Sequence, residues 1–427
     1  MVFYRNPHAL TLQSCALVCK DWYYYTWFHL RRRVLLRDRN DVLALCRTLR
    51  ETPRVSSIVQ QVTISGHRSL ALAQHLGTFA AMLAGKLPGL SRITIRDTEW
   101  TVGSIRMQVF NCLTTFRSVH TLHLNGVTVP SIAHLARIIS ALPGLRKLSC
   151  CYVDCSQEYP VSLAPLPLNS AYLEELEAQW VAPEIEDLLV RISQASRVRV
   201  LDLGLGGDRG PDSPGSRSQD VLDACAASLE VLRLHMDPYS SVDSQDIDSI
   251  VVTEQHYNLS RHERLWRLEI YYPSNPFVHW SWILPIISRT ASKHLIAMSV
   301  AFRIPADRTA YIWDRALTMM KEGGFLVQLD DILQTEHFAN IALRNICLGF
   351  YYQDWLRHEK PFGIKSTLRE QCTRWDELIR RSMPGCNGRG ILTTTHTYGE
   401  YENWAINMDA IHEEAQGRKA ETGGEAQ

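Results

Sequence analysis

One six-residue pattern of apolar positions, apolar-x-x-apolar-x-apolar, recurs along this chain. It occurs first at Val59, Val62 and Ile64, and next at Leu90, Ile93 and Ile95. Later copies are led by Val119, Leu145, Leu173, Val198, Leu229, Leu265, Leu295 and Leu343. The fourth position of each copy falls at residues 62, 93, 122, 148, 176, 201, 232, 268, 298 and 346. A single match to so short a pattern means little. Nine copies spaced by roughly 30 residues signal a repeat array, and only the 48-residue step to the tenth is out of phase.

The stretches between copies change to helical period. Leu72, Leu76, Phe79 and Leu83 share one helical face. Pro130 opens a segment with Ile132, Leu135, Ile139 and Leu142 on one stripe, and Pro183 opens another with Ile185, Leu188, Leu189 and Ile192. Proline suits the first helical turn, where its missing N–H is not needed. The tetrapeptide Leu-Pro-Gly-Leu at 87–90 and again at 142–145 marks a helix stop and strand entry. Each unit therefore reads as one strand plus one helix. Such a unit cannot bury its apolar face alone, so the units stack into a parallel sheet backed by helices.

The pattern resembles that of leucine-rich repeats. The resemblance implies an α/β fold, an irregular leucine-rich-repeat solenoid over residues 34–350, with a concave sheet face. One family feature is replaced: the usual Asn or Cys three residues past the last apolar position gives way to His67, Thr98, Val127, Val153, Val181 and Gly206. A Gly/Pro/Ser-rich run at 204–219 reads as a flexible loop inserted in the array, 351–404 as a C-terminal cap, and 405–427 as a disordered polar tail.

Alternation along each strand sends the residues flanking the fourth position outward. This nominates Arg92, Arg96, His123, Asn125, Lys147, Glu175, Glu177, Asp202, Arg233, His235, Arg267, Glu269 and Tyr271 as the concave binding face. Basic residues lead, acids take over at Glu175, Glu177 and Asp202, and mixed charge follows. A nucleic-acid groove would be more uniformly basic, so the segmented face is expected to take a protein partner.

Composition narrows the classes further. Lys+Arg and Asp+Glu both number 45 among 427 residues, so net charge gives no pull toward nucleic acid or anionic lipid. Eleven cysteines without a Cys-x-x-Cys pair fit reduced, mostly buried thiols in a cytoplasmic or nuclear protein. No metal site is expected, because no four ligands lie close together in the chain, and no cofactor is expected either. "GLGGDRG" at 204–210 has Arg209 in the third slot of a dinucleotide fingerprint and no helix directly behind it. No hydrolase, zincin or kinase motif occurs, so no catalytic residue is nominated. No membrane-spanning run or secretory signal is read.

The stretch "SCALVCKDWYYYTWFHL", from Ser14 to Leu30, stands apart. Leu12, Cys15, Cys19 and Trp22 fit one helical stripe, and core packing is expected for it, not a reactive Cys19. The stretch resembles the C-terminal half of an F-box: Ala16, Leu17, Val18, Cys19, Lys20 and Trp22 match an apolar run followed by Val-Cys-Lys-x-Trp. The Leu-Pro-x-Glu opening and first helix of that module are not among the residues before Leu12. The passage into the repeats resembles that of large fungal F-box families, and "RSMPGCNGRGILTT" at 381–394 resembles the closing strand region of such chains. The resemblance implies a partial F-box-like helical segment over 1–33, with Leu12, Val18, Lys20 and Trp22 docking a Skp1-like adaptor. The repeats would then hold a protein substrate for a Skp1–cullin–F-box ubiquitin ligase. The alternative is a leucine-rich-repeat interaction scaffold with no ligase docking; an enzyme is not expected.

Overall fold

The computed structural model describes residues 11–12, 14–66, 74–100, 107–156, 166–167, 169–205, 217–236, 257–273, 283–305, 314, 317–318, 320–339, 341, 345–353 and 364–398. Most of the expected loop at 204–219 and the whole tail at 405–427 lie outside them. The chain divides into two compact units, Met1–Arg199 and Val200–Gln427.

In the first unit, helix α1 (Lys20–Arg32) runs into strand β1 (Arg33–Leu36), followed by α2 (Arg39–Glu51) and the single turn α3 (Val55–Ile58). Then strands and helices alternate: β2 (Gln61–Ser65), α4 (Gln74–Leu83), β3 (Arg92–Glu99), α5 (Met107–Leu113), β4 (Thr121–Val129), α6 (Ile132–Ser140), β5 (Lys147–Cys155), β6 (Glu175–Gln179) and α7 (Pro183–Ala195). The six strands pair in parallel and in chain order. The helices pack in sequence along one side, α2 on α4, α4 on α5, α5 on α6 and α6 on α7. The second unit repeats the arrangement with β7 (Val200–Leu205), α8 (Ser218–Cys225), β8 (Val231–Met236), β9 (Arg267–Pro273), α9 (Ile283–Ser288), β10 (Ala297–Pro305), α10 (Phe325–Leu333), β11 (Ile346–Gln353), α11 (Ile364–Ser382), α12 (Pro384–Gly388) and β12 (Leu392–Tyr398). Its six strands are also parallel and in chain order. Each unit is an α/β stack of strand-plus-helix repeats, the architecture of an irregular leucine-rich-repeat solenoid.

The apolar pattern sets the register. Val62, Ile93, Leu122, Leu148 and Leu176 stand opposite one another in the first unit. Leu201, Leu232, Leu268, Met298 and Ile346 do so in the second. None of the ten is more than 2% exposed. Burying one such side chain contributes about 1.5–3 kcal/mol, so a slipped register would be heavily disfavoured. The 48-residue step keeps phase too, because pairing acts between strands while the entropic cost of a longer crossover rises slowly. β1 and β12 had no counterpart in the pattern. Val34 and Leu392 take the fourth position, but Arg31 and Arg389 stand where the leading apolar residue would be.

Another device replaces the missing Asn/Cys position. Asp97, Gly126 and Tyr152 have φ of 52°, 62° and 51° at the same point of three successive strands, and Trp180, directly after β6, has 52°. One left-handed residue per strand interrupts the alternation, and the next side chain turns inward: Thr98, Val127, Val153 and Val181 are all buried. Such a conformation costs a non-glycine residue about 1–3 kcal/mol. The Tyr152 and Trp180 rings, stacked with centroids 4.8 Å apart, recover part of that. Asn169 supplies a different loop clasp, its Nδ2 donating to the Ile139 and Leu142 carbonyls at 2.9 and 2.8 Å.

The two Leu-Pro-Gly-Leu glycines have a steric reason. A Cβ on Gly144 would meet the Arg117 carbonyl oxygen at 2.4 Å, and one on Gly89 would meet that of Ser57 at 2.6 Å. Each glycine lets a repeat enter directly against the backbone of the one before it. Gly144→Ala is expected to destabilise by about 1–3 kcal/mol, since backbone cannot step aside as a side chain can. Gly388→Ala, with open space around its Cβ, should stay within about 0.5 kcal/mol. Urea unfolding midpoints compare the two.

Candidate functional site

The N-terminal stretch is not one helix. Residues 16–18 form a turn, with Leu17 N and Val18 N bonded to the Ser14 and Cys15 carbonyls, and α1 starts afresh at Lys20. The turn breaks the helical phase, so the stripe through Leu12, Cys15, Cys19 and Trp22 does not pack as expected. Leu12 and Cys15 are half-buried. Cys19 is an exposed, extended N-cap residue and Lys20 is exposed as well. Trp22 is 51% exposed, Leu17 88%, Val18 68% and Tyr25 72%. Thr26 alone of α1 is buried, where the helix lies against α3 and β1. Arg31 covers Trp27 at 4.1 Å from the ring centroid.

In the first unit, the strand residues turned away from the helices stand in rows across β3 to β6. One row reads Arg92, Thr121, Lys147, Glu175; the next Thr94, His123, Ser149, Glu177; the third Arg96, Asn125, Cys151, Gln179. Arg92 is exposed, and Arg96 lies 3.8 Å from the Asp97 carboxylate. Lys147 Nζ meets Glu175 Oε2 at 2.8 Å, and one residue earlier Arg146 meets Glu174 at 3.1 Å. Such exposed pairs are worth about 0–1 kcal/mol and remain exchangeable for partner contacts.

The middle of this face is more closely tied. The His123 ring Nδ1 meets the Ser149 hydroxyl, the Cys151 thiol donates to Glu177 Oε1 at 3.2 Å, and Gln179 Nε2 donates to the same oxygen at 3.2 Å. One donor atom each from His123, Cys151 and Glu177 lies within 4.8 Å of the other two. Cys151 is buried, while His123 and Glu177 are half-buried. Its neighbour Cys150 is fully buried, and burial together with the Glu177 charge pushes its thiol up to about 12, which leaves it inert. The alternation that nominated His123 and Glu177 also turns Ser149 and Gln179 outward; Cys151 was missed. Aligning the repeats strand to strand would have brought all five together.

In the second unit the nominated residues form an internal network instead of an open face. Glu269 is 0% exposed, and Arg267, Asp202, His235 and Tyr271 are also buried. Glu269 Oε2 takes Arg233 Nε at 3.1 Å and the Tyr271 hydroxyl, while Oε1 faces Arg267 Nε. His235 Nε2 lies 3.0 Å from Asp202 Oδ1, and its ring stacks on Tyr271 at 4.3 Å. These residues hold the strand positions from which alternation nominated them, and they are buried there.

No protein-family model and no curated protein matches this chain. A search of solved structures finds the leucine-rich repeat-containing protein LegL7 from Legionella pneumophila, 12% identical, with a TM-score of 0.41, covering 84% of this chain and 98% of that one. Among the described residues, no helix is long and apolar enough to cross a membrane.

Proposed function

We propose that this chain is a non-enzymatic protein-interaction scaffold and, more finely, a substrate-recognition subunit of a Skp1–cullin–F-box ubiquitin ligase. In this reading the N-terminal segment docks a Skp1-like adaptor and the sheet face of the first unit holds a protein substrate. One observation carries the docking half: Leu17, Val18, Trp22, Tyr24 and Tyr25 are exposed around a helix that buries only Thr26. Side chains this apolar serve the fold little where they stand, and clustered aromatics are what an interface buries as anchors. The resemblance of Ala16–Trp22 to an F-box half names the partner class. The substrate half is supported by the segmented charge of the face, basic at Arg92 and Lys147 and acidic at Glu175 and Glu177, which suits a partner of patterned charge better than a polyanion.

Titration calorimetry with a recombinant Skp1-like protein tests the docking half, using the full coding sequence that carries this chain. The paired substitution Trp22→Ala with Tyr25→Ala should weaken binding at least about tenfold, two aromatic anchors being worth more than about 1.4 kcal/mol together. Its unfolding midpoint should stay unchanged, because neither residue is buried. Failure of the unsubstituted protein to bind would remove the ligase reading. The scaffold reading would then stand alone, supported if Lys147→Glu abolished capture of a peptide ligand selected against the purified chain.

A further inference from the structure

We infer that His123, Cys151 and Glu177 form a binding site for one divalent transition-metal ion of the zinc class on the sheet face of the first unit. The inference does not rest on the ligase reading. The three donors are an imidazole nitrogen, a thiol sulfur and a carboxylate oxygen, gathered within 4.8 Å of one another by strands β4, β5 and β6. Ligands sharing one tetrahedral ion lie about 3.5 Å apart, so small rotations of the half-buried His123 and Glu177 side chains close the set. The mix of one soft and two harder donors suits zinc better than magnesium or calcium, which favour oxygen alone. Charge balances: a divalent cation with one thiolate, one carboxylate and a neutral imidazole sums to zero, so binding leaves no uncompensated charge on the sheet.

The binding step also balances. Cys151 gives up its thiol proton to solvent, its S–H···O bond to Glu177 breaks, and sulfur and carboxylate each bond the ion. Gln179 and Ser149 already bear on Glu177 and His123, and such outer partners orient ligands. Three protein ligands leave a fourth position, and half-buried His123 and Glu177 open it toward solvent. A water or a side chain from a bound protein would complete it. The ligands are spaced 28 and 26 residues apart, one repeat each, so the repeat register gathers them, as no short motif could.

The competing account is a hydrogen-bond cluster that binds nothing, in which serine would serve at 151 as well as cysteine. Full-length protein stripped by chelation and titrated with Co2+ separates the two. We expect one equivalent bound, with a thiolate-to-cobalt charge-transfer band that Zn2+ displaces. Cys151→Ser should abolish the band, and His123→Ala and Glu177→Gln should each weaken binding at least about tenfold. Cys112→Ser, on helix α5 and outside the three-residue cluster, should leave it intact. Should Cys151→Ser not fold, Glu177→Gln answers instead: at one Zn2+ concentration the melting temperature of the natural protein should rise clearly more than that of the variant, and equal rises would overturn the site. Absence of a thiolate band in the natural protein, or its persistence in Cys151→Ser, overturns the site.

Discussion

Glu269→Ala is expected to destabilise the protein by about 3–5 kcal/mol, read as a fall in the urea midpoint of the transition that includes the second unit. Glu269 is 0% exposed, and its two oxygens face Arg233, Arg267 and the Tyr271 hydroxyl. Removing it takes the counter-charge from an arginine that is itself only 6% exposed. The loss is then set by the charge left in a poorly solvated place, which exceeds the net worth of the pair. Glu269→Gln keeps the shape and should cost less than alanine while still losing the charge. The contrast is Lys147→Ala: its partner Glu175 is 42% exposed, so the expected change is below about 1 kcal/mol. If Glu269→Ala proved as mild as Lys147→Ala, the buried network would contribute no net stability.

This contrast also explains what the sequence could and could not reveal. Alternation about the fourth position placed Lys147 beside Glu175 and Arg233 beside Glu269, and both neighbours are real. The pattern carries face and register, since both follow from period two and from burial of the opposite face. It carries nothing about what lies over a face, so the solvation of Lys147 and the burial of Glu269 look alike in the chain. The apolar pattern passed over β1 and β12 for a related reason, although the likeness of 381–394 to a closing strand region pointed to β12. Each pairs with one repeat neighbour among the described strands, and arginine replaces the leading apolar residue. The N-terminal stripe failed on a local point: helical spacing predicts a common face only while the helix continues, and the turn at 16–18 resets the phase. The His123, Cys151 and Glu177 cluster was hidden by the criterion itself, because ligands were sought close in sequence whereas a repeat brings them close in register.

Trp375→Ala should cost about 3–5 kcal/mol, comparable to the loss of Glu269 but by a different mechanism. Trp375 lies on α11, beyond the ten copies of the repeat pattern, yet it is 0% exposed and meets the edge of Phe302 on β10 at 5.6 Å. Phe302 is equally buried, so truncation to alanine opens a cavity against the sheet, with little to fill it. Collapse is restricted by polar ties nearby. Both Asp330 carboxylate oxygens on α10 accept backbone N–H groups from the start of α12, Gly385 at 2.9 Å and Cys386 at 2.8 Å. Arg389 donates to the Leu333 and Phe338 carbonyls at 2.7 and 3.0 Å. These bonds fix α12 while the tryptophan fixes α11, and β12 follows both into the sheet. Trp375→Phe, which refills much of the space, should cost clearly less than alanine if packing is the cause. Limited proteolysis gives the second readout: in Trp375→Ala, cleavage within 364–382 should come earlier than in the natural protein, and β12 should lose protection with it. An alanine variant within about 1 kcal/mol of the natural protein would mean that α11 only rests on the second unit, and that the sheet edge at β11 is stable without the segment that follows it.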